Sequence, residues 1–180
     1  MDPHAHPEPS AWVRRFAPLI PAGGSVLDLA CGRGRHARYL AGLGYRVEAV
    51  DRDAEALAAL DGVPGVAIRQ ADLEGGPWPY FGRGFDGIVV TNYLWRPLMP
   101  QVLNALEEGA VLIYETFMAG NERFGRPAKP EFLLRPGELL DLVRRRMGIV
   151  AFEQGEVAEP APAMVQRLCA TRDLPGKLPP

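Results

Sequence analysis

Residues 26–51 decide the fold, since they begin with VLDLACGRGRH at residues 26–36 and end with VEAVD at residues 47–51. An apolar strand leads into a glycine loop, the loop opens a helix, and a second apolar strand ends in an acid. This order is typical of two parallel strands joined by a helix, with a nucleotide-type ligand bound at the carboxyl ends of the strands.

The glycine loop differs from the pattern that binds dinucleotides. That pattern, G-x-G-x-x-G, rests a pyrophosphate on the N-terminus of the following helix. Here Asp28 lies inside the strand, and only one residue separates Gly32 from Gly34. The loop therefore suits a ligand without phosphate that carries an amino-acid moiety and a ribose. A tight turn without a ligand is the alternative, but the accompanying acids Asp28 and Asp51 favour a binding site.

Strands and helices alternate until residue 148, and two strands then follow with no helix between them. The predicted strands span residues 25–29, 46–50, 66–70, 85–91, 110–116, 149–154 and 164–171. The predicted helices span residues 34–43, 54–60, 100–107 and 136–147, and Ser10 is expected to cap a further helix. Right-handed crossovers make the first five strands parallel, and the last two are expected to form an antiparallel hairpin.

Composition and charge narrow the classes of protein. The 180 residues, 47% hydrophobic and 23% charged, predict one domain over residues 1–180, with flexible tails at 1–9 and 173–180. A net charge of −2 attracts no polyanion, so nucleic acid is not the expected partner.

No apolar run reaches the roughly 20 residues of a membrane span and no signal region is visible, so we expect a cytoplasmic protein. Two cysteines and three histidines lack zinc-ligand spacing, so no metal is expected.

The glycine loop with its acids and the terminal antiparallel hairpin resemble the class I S-adenosylmethionine-dependent methyltransferases, over residues 22–172. Residues 114–127 and 132–139 are similar to small bacterial methyltransferases grouped with the tellurite-resistance methyltransferases. The resemblance implies an α/β fold with a Rossmann-like, seven-stranded sheet of order 3-2-1-4-5-7-6. Its last strand is antiparallel and helices cover both faces. The implied cofactor is S-adenosylmethionine.

Several cofactor contacts are expected near the glycine loop. Gly32 and Gly34 let the backbone approach the ligand closely. By the resemblance, Asp28 lies under the loop and holds its amides or the ligand ammonium. Thr91 and Asn92 end the fourth strand beside the point where the strand order reverses, so their backbone is expected to line the sulfonium end.

Acids after the second and third strands are expected to hold the nucleoside. Asp51 can accept both ribose hydroxyls, whereas Asp53 precedes a helix and is better explained as its cap. By the resemblance, Asp72 accepts a hydrogen bond from the adenine amino group and Leu73 offers its backbone N–H to the ring; otherwise Asp72 is a solvent-exposed loop acid. The expected cofactor contacts are completed by the neighbouring residues Ala30 and Arg52.

The candidates for chemistry on the acceptor are Tyr93, Glu115, Arg123 and Arg126. Tyr93 either contacts the sulfonium through its ring or hydroxyl, or simply packs. Glu115, near the end of the fifth strand, is either a buried general base or the ion-pair partner of Arg123 or Arg126. Residues 92–97 lack the N-P-P-Y or D-P-P-Y pattern that binds exocyclic amines of nucleic-acid bases, which disfavours that chemistry.

The segment 117–135 is long, punctuated by glycine and mildly basic, which is typical of a functional loop. We expect a lid over the methyl site, with Arg123 or Arg126 pairing to an anionic acceptor group or to Glu115. The leading function is therefore methyl transfer to a small molecule. An RNA or protein methyltransferase, a non-catalytic cofactor-binding protein and a nicotinamide-dependent oxidoreductase are the alternatives.

Overall fold

The computed structural model describes residues 8–173, and within them one seven-stranded sheet has the order β3-β2-β1-β4-β5-β7-β6. The strands are β1 Ser25–Leu29, β2 Arg46–Asp51, β3 Val66–Gln70, β4 Phe85–Thr91, β5 Leu106–Phe117, β6 Gly148–Val157 and β7 Ala163–Thr171. Strands β1 to β5 pair in parallel, whereas β7 runs antiparallel to both β5 and β6. The predicted strand order and the antiparallel last strand are confirmed.

Short helices cover both faces of the sheet, as predicted. They are α1 Ala11–Phe16, α2 Arg35–Gly42, α3 Ala54–Ala58, α4 Met99–Asn104 and α5 Glu138–Val143. Side chains alternate along a strand, so Val26 of β1 packs with α1 and α2, while the next residue, Leu27, packs with α4 and α5. The Ser10 side chain caps α1 by accepting from the Trp12 N–H, as the sequence predicted.

No helix in the described part of the chain is both long and apolar enough to cross a membrane. Of the predicted flexible tails, residues 1–7 and 174–180 lie outside the described residues, whereas residues 8, 9 and 173 lie inside them.

The start of β5 differs from the sequence-based prediction. The predicted helix 100–107 overruns α4, and β5 begins at Leu106, before the predicted residue 110. Leu106 pairs with Phe85, and the register then shifts before Gly87 pairs with Val111. Gly109, with φ of +75°, lies in this irregularity. Apolar periodicity does not reveal a strand that continues through a bulge.

Three other elements differ by two residues or more from the predicted ends. Gly137 is left-handed, with φ of 73°, so α5 begins after it and not at residue 136. It also ends at Val143, before the predicted residue 147, and α3 ends at Ala58, before residue 60. The β6 strand extends beyond the predicted 149–154 because nearly its whole length pairs with β7.

The segment 117–135 contains two 3₁₀ turns and is attached to its surroundings. The Asn121 side chain is buried, donates to Pro127 O and accepts from Met164 N, both at 3.0 Å. Arg96 donates to the carbonyl oxygens of residues 131 and 133 and pairs with Glu138, Nε to Oε1 at 2.7 Å. A lid motion of the whole segment would have to break these bonds, so the lid stays a prediction.

A crevice forms where the connections of β1 and β4 diverge. These strands are neighbours in the sheet, but β1 connects to β2 on one side and β4 connects to β5 on the other. Such a switch point is where open α/β sheets bind ligands. Each strand is followed by a left-handed non-glycine residue, Ala30 with φ of 53° and Asn92 with φ of 54°. Residues held in this region mark sites where the surrounding structure imposes the backbone path.

The two glycines of the loop between β1 and α2 have different surroundings. Both are left-handed, with φ of 53° at Gly32 and 75° at Gly34. A Cβ atom at Gly34 would overlap the Leu60 side chain, whereas a Cβ at Gly32 would meet nothing within 4 Å. Gly34 is thus required by packing, and Gly32 borders open space.

We predict that Gly34→Ala destabilises the protein more than Gly32→Ala. The left-handed backbone alone costs alanine about 1–2 kcal/mol, and overpacking against Leu60 adds about 1–3 kcal/mol at Gly34. Urea unfolding of both variants measures the difference. Equal losses of unfolding free energy would show that Leu60 does not constrain the loop.

Candidate active site

A cavity of about 450 Å³ lies at the carboxyl ends of β1, β2 and β4, and we call it the acidic cavity. The predicted site residues that line it are Ala30, Asp51, Arg52, Asp72, Leu73, Asn92 and Tyr93. The predicted residues Asp28, Gly32, Gly34 and Thr91 are not among its lining residues. Gly32 is next to the cavity, because its N–H donates to the lining residue Asp51. Asp28 lies within β1, Gly34 belongs to the glycine loop and Thr91 is the last residue of β4.

Asp51 joins the end of β2 to the glycine loop. Its Oδ2 accepts from the Gly32 N–H at 2.8 Å, and its Oδ1 accepts from the Asp53 N–H at 3.0 Å. Because each carboxylate oxygen can accept more than one hydrogen bond, Asp51 keeps capacity for a ligand. Asp53 caps α3 by accepting from the N–H groups of Glu55 and Ala56, so its prediction as a cap is confirmed.

Asp72 and Leu73 follow β3 at the far side of the acidic cavity. Asp72 Oδ1 accepts from the Glu74 N–H at 2.9 Å. The backbone N–H groups of Glu74 and Gly75 hold the pKa of Asp72 below its ordinary value. The side chain of Leu73 is buried. An ionised acceptor therefore stands next to an apolar side chain, an arrangement that can hold a base with an exocyclic amine.

Asp28 is a buried carboxylate with an incomplete set of partners. It is 1% exposed, and burial raises its pKa to about 7, although the Ala37 N–H and the Arg35 charge oppose this rise. Its Oδ2 has no hydrogen-bond partner among the described residues. A buried acceptor without a partner is unfavourable, and a cationic donor bound beside it would both satisfy this oxygen and stabilise the ionised form.

His36, which the sequence analysis did not single out, connects three elements. It lies in the first turn of α2 and is 2% exposed, and burial lowers its pKa to about 3. Its Nε2 accepts from the Ser10 N–H at 3.2 Å, so the neutral ring carries its proton on Nδ1, which lies 3.3 Å from Thr91 Oγ1. His36 in α2 thus contacts both the start of α1 and the end of β4, next to the glycine loop. A histidine on an apolar helix face gives no sequence signal of this role.

Tyr93 belongs to the acidic cavity. Its carbonyl oxygen accepts from the Tyr114 hydroxyl at 2.9 Å, which fixes the backbone after β4. The Tyr93 hydroxyl is buried without a hydrogen-bond partner among residues 8–173, and burial raises the pKa of this group. Tyr93 lines the acidic cavity together with Asp72.

A second cavity, of about 320 Å³, shares Asn92 with the acidic cavity, and we call it the arginine cavity. Its charged lining includes Arg14, Arg35, Glu115 and Arg167, and residues 8–11 form part of its wall. Sequence reasoning missed all three arginines. Two signals were present: Arg35 directly follows Gly34, and Arg167 interrupts the otherwise largely apolar strand β7.

Glu115 pairs with Arg167 and not with the loop arginines. The two residues face each other on β5 and β7, and Arg167 Nε lies 2.5 Å from Glu115 Oε2. At this distance the guanidinium and the carboxylate form a close ion pair. Arg167 also lies 3.6 Å from Glu153, Nη1 to Oε2. The buried Glu115 carboxylate is therefore charge-compensated by Arg167.

The structure does not bring the other predicted acceptor residues to this pair. Arg123 is exposed and lies 3.4 Å from Glu156, Nη2 to Oε2. Arg126 is also exposed, and neither arginine belongs to the described lining of the two cavities. Their placement gives no support to the hypothesis that they hold the acceptor.

Comparisons with known proteins agree with this geometry. Residues 26–109 match the model of a family described as a methyltransferase domain. TehB from Haemophilus influenzae superposes with a TM-score of 0.72 at 19% identity, covering 90% of this chain and 61% of TehB. A methyltransferase from Methanosarcina mazei superposes with a TM-score of 0.70 at 17% identity, covering 93% of this chain and 100% of the other. A glycopeptide N-methyltransferase in complex with S-adenosylhomocysteine superposes with a TM-score of 0.63 at 20% identity, covering 91% of this chain and 88% of the other. No curated protein sequence matches the chain.

Residues 26–109 thus match a methyltransferase domain, and the strand order is the one that the resemblance to the class I S-adenosylmethionine-dependent methyltransferases implied. This match supports S-adenosylmethionine as the cofactor over a nicotinamide dinucleotide. The residues fit this cofactor, because Asp28 has a buried oxygen without a partner and Gly32 borders open space.

We predict different effects for the two acids at the end of β2. Asp51→Ala should weaken S-adenosylhomocysteine binding by about 1.5–3 kcal/mol, the range for a hydrogen bond to a charged group. Asp53→Ala should leave binding nearly unchanged and lower the unfolding free energy by about 1 kcal/mol, because it removes a helix cap. Calorimetry and urea unfolding separate the two effects. A loss of affinity confined to Asp53→Ala would mean that Asp51 is not the ribose contact.

Proposed function

We propose that the chain transfers the methyl group of S-adenosylmethionine to a small-molecule acceptor bound in the arginine cavity. One observation carries the proposal: Asn92 lines both cavities, at the carboxyl end of β4. A cofactor in the acidic cavity and an acceptor in the arginine cavity would therefore meet at this residue.

The cofactor's nucleoside is assigned to the acidic cavity. Asp51 would accept the ribose hydroxyls, and Asp72 with Leu73 would hold the adenine. Asp28 would accept from the ammonium of the methionine part, since its Oδ2 is buried without a partner in the described structure.

Arg35 is assigned to the methionine carboxylate. It opens α2 directly after the glycine loop, lies close enough to lower the pKa of Asp28 by its charge, and lines the arginine cavity. Its guanidinium also donates to Glu8 O at 3.4 Å, which connects it to the wall formed by residues 8–11. The Asp28 carboxylate and the Arg35 guanidinium together complement a zwitterionic amino-acid group.

The cofactor supplies an electrophilic methyl group, and the chain supplies position and a proton acceptor. In the transfer, the acceptor atom would form its bond to the methyl carbon as the carbon–sulfur bond breaks, and the electron pair of that bond would stay on sulfur. We assign Glu115 as the group that takes the acceptor's proton, since it stands beside Asn92, whose N–H donates to Glu115 O at 2.9 Å. The proton then passes to water.

The size and walls of the arginine cavity support a small acceptor. Its volume of about 320 Å³ is near the lower end of small-molecule sites, and residues 8–11 with the β6–β7 connection enclose it. The sequence-based expectation of an anionic acceptor depended on Arg123 and Arg126. Because these lie away from the cavity, we do not extend the proposal to an anionic acceptor.

The proposal predicts that methyl label transfers to small molecules. Protein incubated with methyl-labelled S-adenosylmethionine should label a metabolite extract, and should not label purified RNA or a protein extract. Asp51→Ala should reduce the labelling, because it weakens cofactor binding. Label confined to RNA or protein, or failure of folded protein to bind S-adenosylhomocysteine in calorimetry, would contradict the proposal.

Arg35 can be tested without knowing the acceptor. S-adenosylhomocysteine carries the methionine carboxylate, and 5′-methylthioadenosine lacks it. Arg35→Ala should weaken binding of the first by about 1.5–3 kcal/mol, because a charge-assisted bond is lost, and should leave binding of the second unchanged. The matched control is Arg14→Ala, which removes another cavity arginine and should affect neither ligand. Equal weakening of both ligands by Arg35→Ala would indicate a general effect on the loop.

A further inference from the structure

His36 is a buried titratable side chain that takes no part in the proposed transfer step. It lies in the first turn of α2 and is 2% exposed. Its Nε2 accepts from the Ser10 N–H at 3.2 Å, and its Nδ1 lies 3.3 Å from Thr91 Oγ1. Because both ring nitrogens are engaged, the ring has no capacity left for a ligand. Any effect of His36 on the reaction therefore passes through Ser10 or Thr91.

Both partners of His36 belong to the surroundings of the arginine cavity. Ser10 is part of the wall formed by residues 8–11. Thr91 directly precedes Asn92, the residue that lines both cavities, and it pairs with Glu115 in the register of β4 and β5. One rigid ring thus lies between a wall of the cavity and the strand end where cofactor and acceptor would meet. The separation of these two sides determines where an acceptor can lie relative to the methyl group.

The wall is attached to α2 at two successive residues. Arg35 Nη1 donates to Glu8 O in an exposed contact of 3.4 Å, whereas the contact of His36 with Ser10 is partly buried and shorter. Arg35 is also assigned to the methionine carboxylate, so its guanidinium serves the cofactor as well as the wall. His36 is therefore the attachment that is independent of the cofactor.

The protonation state of His36 suits this attachment. Burial lowers its pKa to about 3, so the ring is neutral at neutral pH. A neutral imidazole has one acceptor and one donor nitrogen, and it can accept from the Ser10 N–H while it donates toward the Thr91 hydroxyl. A protonated ring would present a second donor to the Ser10 N–H and would lose this bond.

We propose that His36 is a positioning residue for the acceptor, because it fixes the 8–11 wall relative to the end of β4 and so holds the acceptor against the methyl group at Asn92. The inference rests on the proposed function and deepens it by naming a residue that acts on the acceptor without touching it. Loss of the ring would leave the cofactor contacts of Asp51 and Asp72 in place and would let the wall move. A misplacement of about 1 Å can cost about 100-fold in rate.

Glutamine and asparagine at position 36 separate a positioning bond from general packing. The glutamine amide extends about as far as Nε2 and can accept from the Ser10 N–H, whereas the asparagine amide extends only about as far as Nδ1. In His36→Asn, hydrogen exchange of the Ser10 amide, followed by NMR, should become about 2- to 10-fold faster, the range for one lost hydrogen bond. Methyl label passed from saturating S-adenosylmethionine to a metabolite extract should fall at least about tenfold.

Two further measurements show that the effect is confined to the wall. The affinity of His36→Asn for S-adenosylhomocysteine, measured by calorimetry, should stay within about twofold of the natural value, a difference well below one hydrogen bond to a charged group. His36→Gln should restore both the slow exchange at Ser10 and most of the transfer. Arg38→Ala is the matched control, since it also removes an α2 side chain that donates to another element, at Ala59 O. It should change neither exchange at Ser10 nor transfer.

Unchanged exchange at Ser10 in His36→Asn, faster exchange with unchanged transfer, or equal losses in the asparagine and glutamine variants would overturn the inference. If His36→Asn does not bind S-adenosylhomocysteine, Thr91→Val replaces it, because this change removes the oxygen that faces Nδ1. Thr91→Val must then lower the transfer while cofactor binding persists. Transfer that is indifferent to His36 contradicts this inference alone, whereas a natural chain that binds the cofactor and labels no metabolite contradicts the proposed function and this inference with it.

Discussion

The divergence of the chain after β1 and β4 is the constraint on which the site depends. The two strands are neighbours, but one continues toward β2 and the other toward β5, so no connection fills the edge of the sheet between them. Ala30 and Asn92 turn the backbone away there in left-handed conformations. Both residues line the acidic cavity, and of the two only Asn92 also lines the arginine cavity. A ligand that spans the crevice therefore has one end on the β2 side and the other end on the β5 side.

Charge is distributed unevenly around this crevice. On the β2 side the carboxylates of Asp51 and Asp72 already accept backbone N–H groups, so their positions are fixed before a ligand binds. Asp28, on β1, is buried with an oxygen that has no hydrogen-bond partner in the described residues, whereas Glu115, on β5, is buried against Arg167. Asp51 and Asp72 are preorganised acceptors, and Asp28 carries an unsatisfied capacity that a bound donor would relieve. This difference is why we assign the ribose hydroxyls and the adenine amine to Asp51 and Asp72, and the ligand ammonium to Asp28.

The strands and helices were predictable because alternating apolar runs and helix caps are local signals, whereas the order of the strands came from the resemblance to the class I methyltransferases. The glycine loop with Asp28 and Asp51 places part of the predicted cofactor site in one continuous segment. The acceptor side was not predictable in the same way. Glu115 could be placed at a strand end, but its partner Arg167 lies far along the chain and meets it only through the antiparallel pairing of β5 and β7. His36 contacts Ser10 and Thr91 through the fold alone. The bulge that starts β5 at Leu106 was missed because a register shift has no periodic signature.

The central claim is that the cofactor lies across the crevice with its sulfur at Asn92. A crystal structure of the complex with S-adenosylhomocysteine tests it most directly. We expect the adenine beside Asp72 and Leu73, the ribose hydroxyls on Asp51, the sulfur within van der Waals contact of Asn92, and the amino-acid end between Asp28 and Arg35. Adenine density in the arginine cavity, or a ligand whose sulfur lies away from Asn92, would contradict the account.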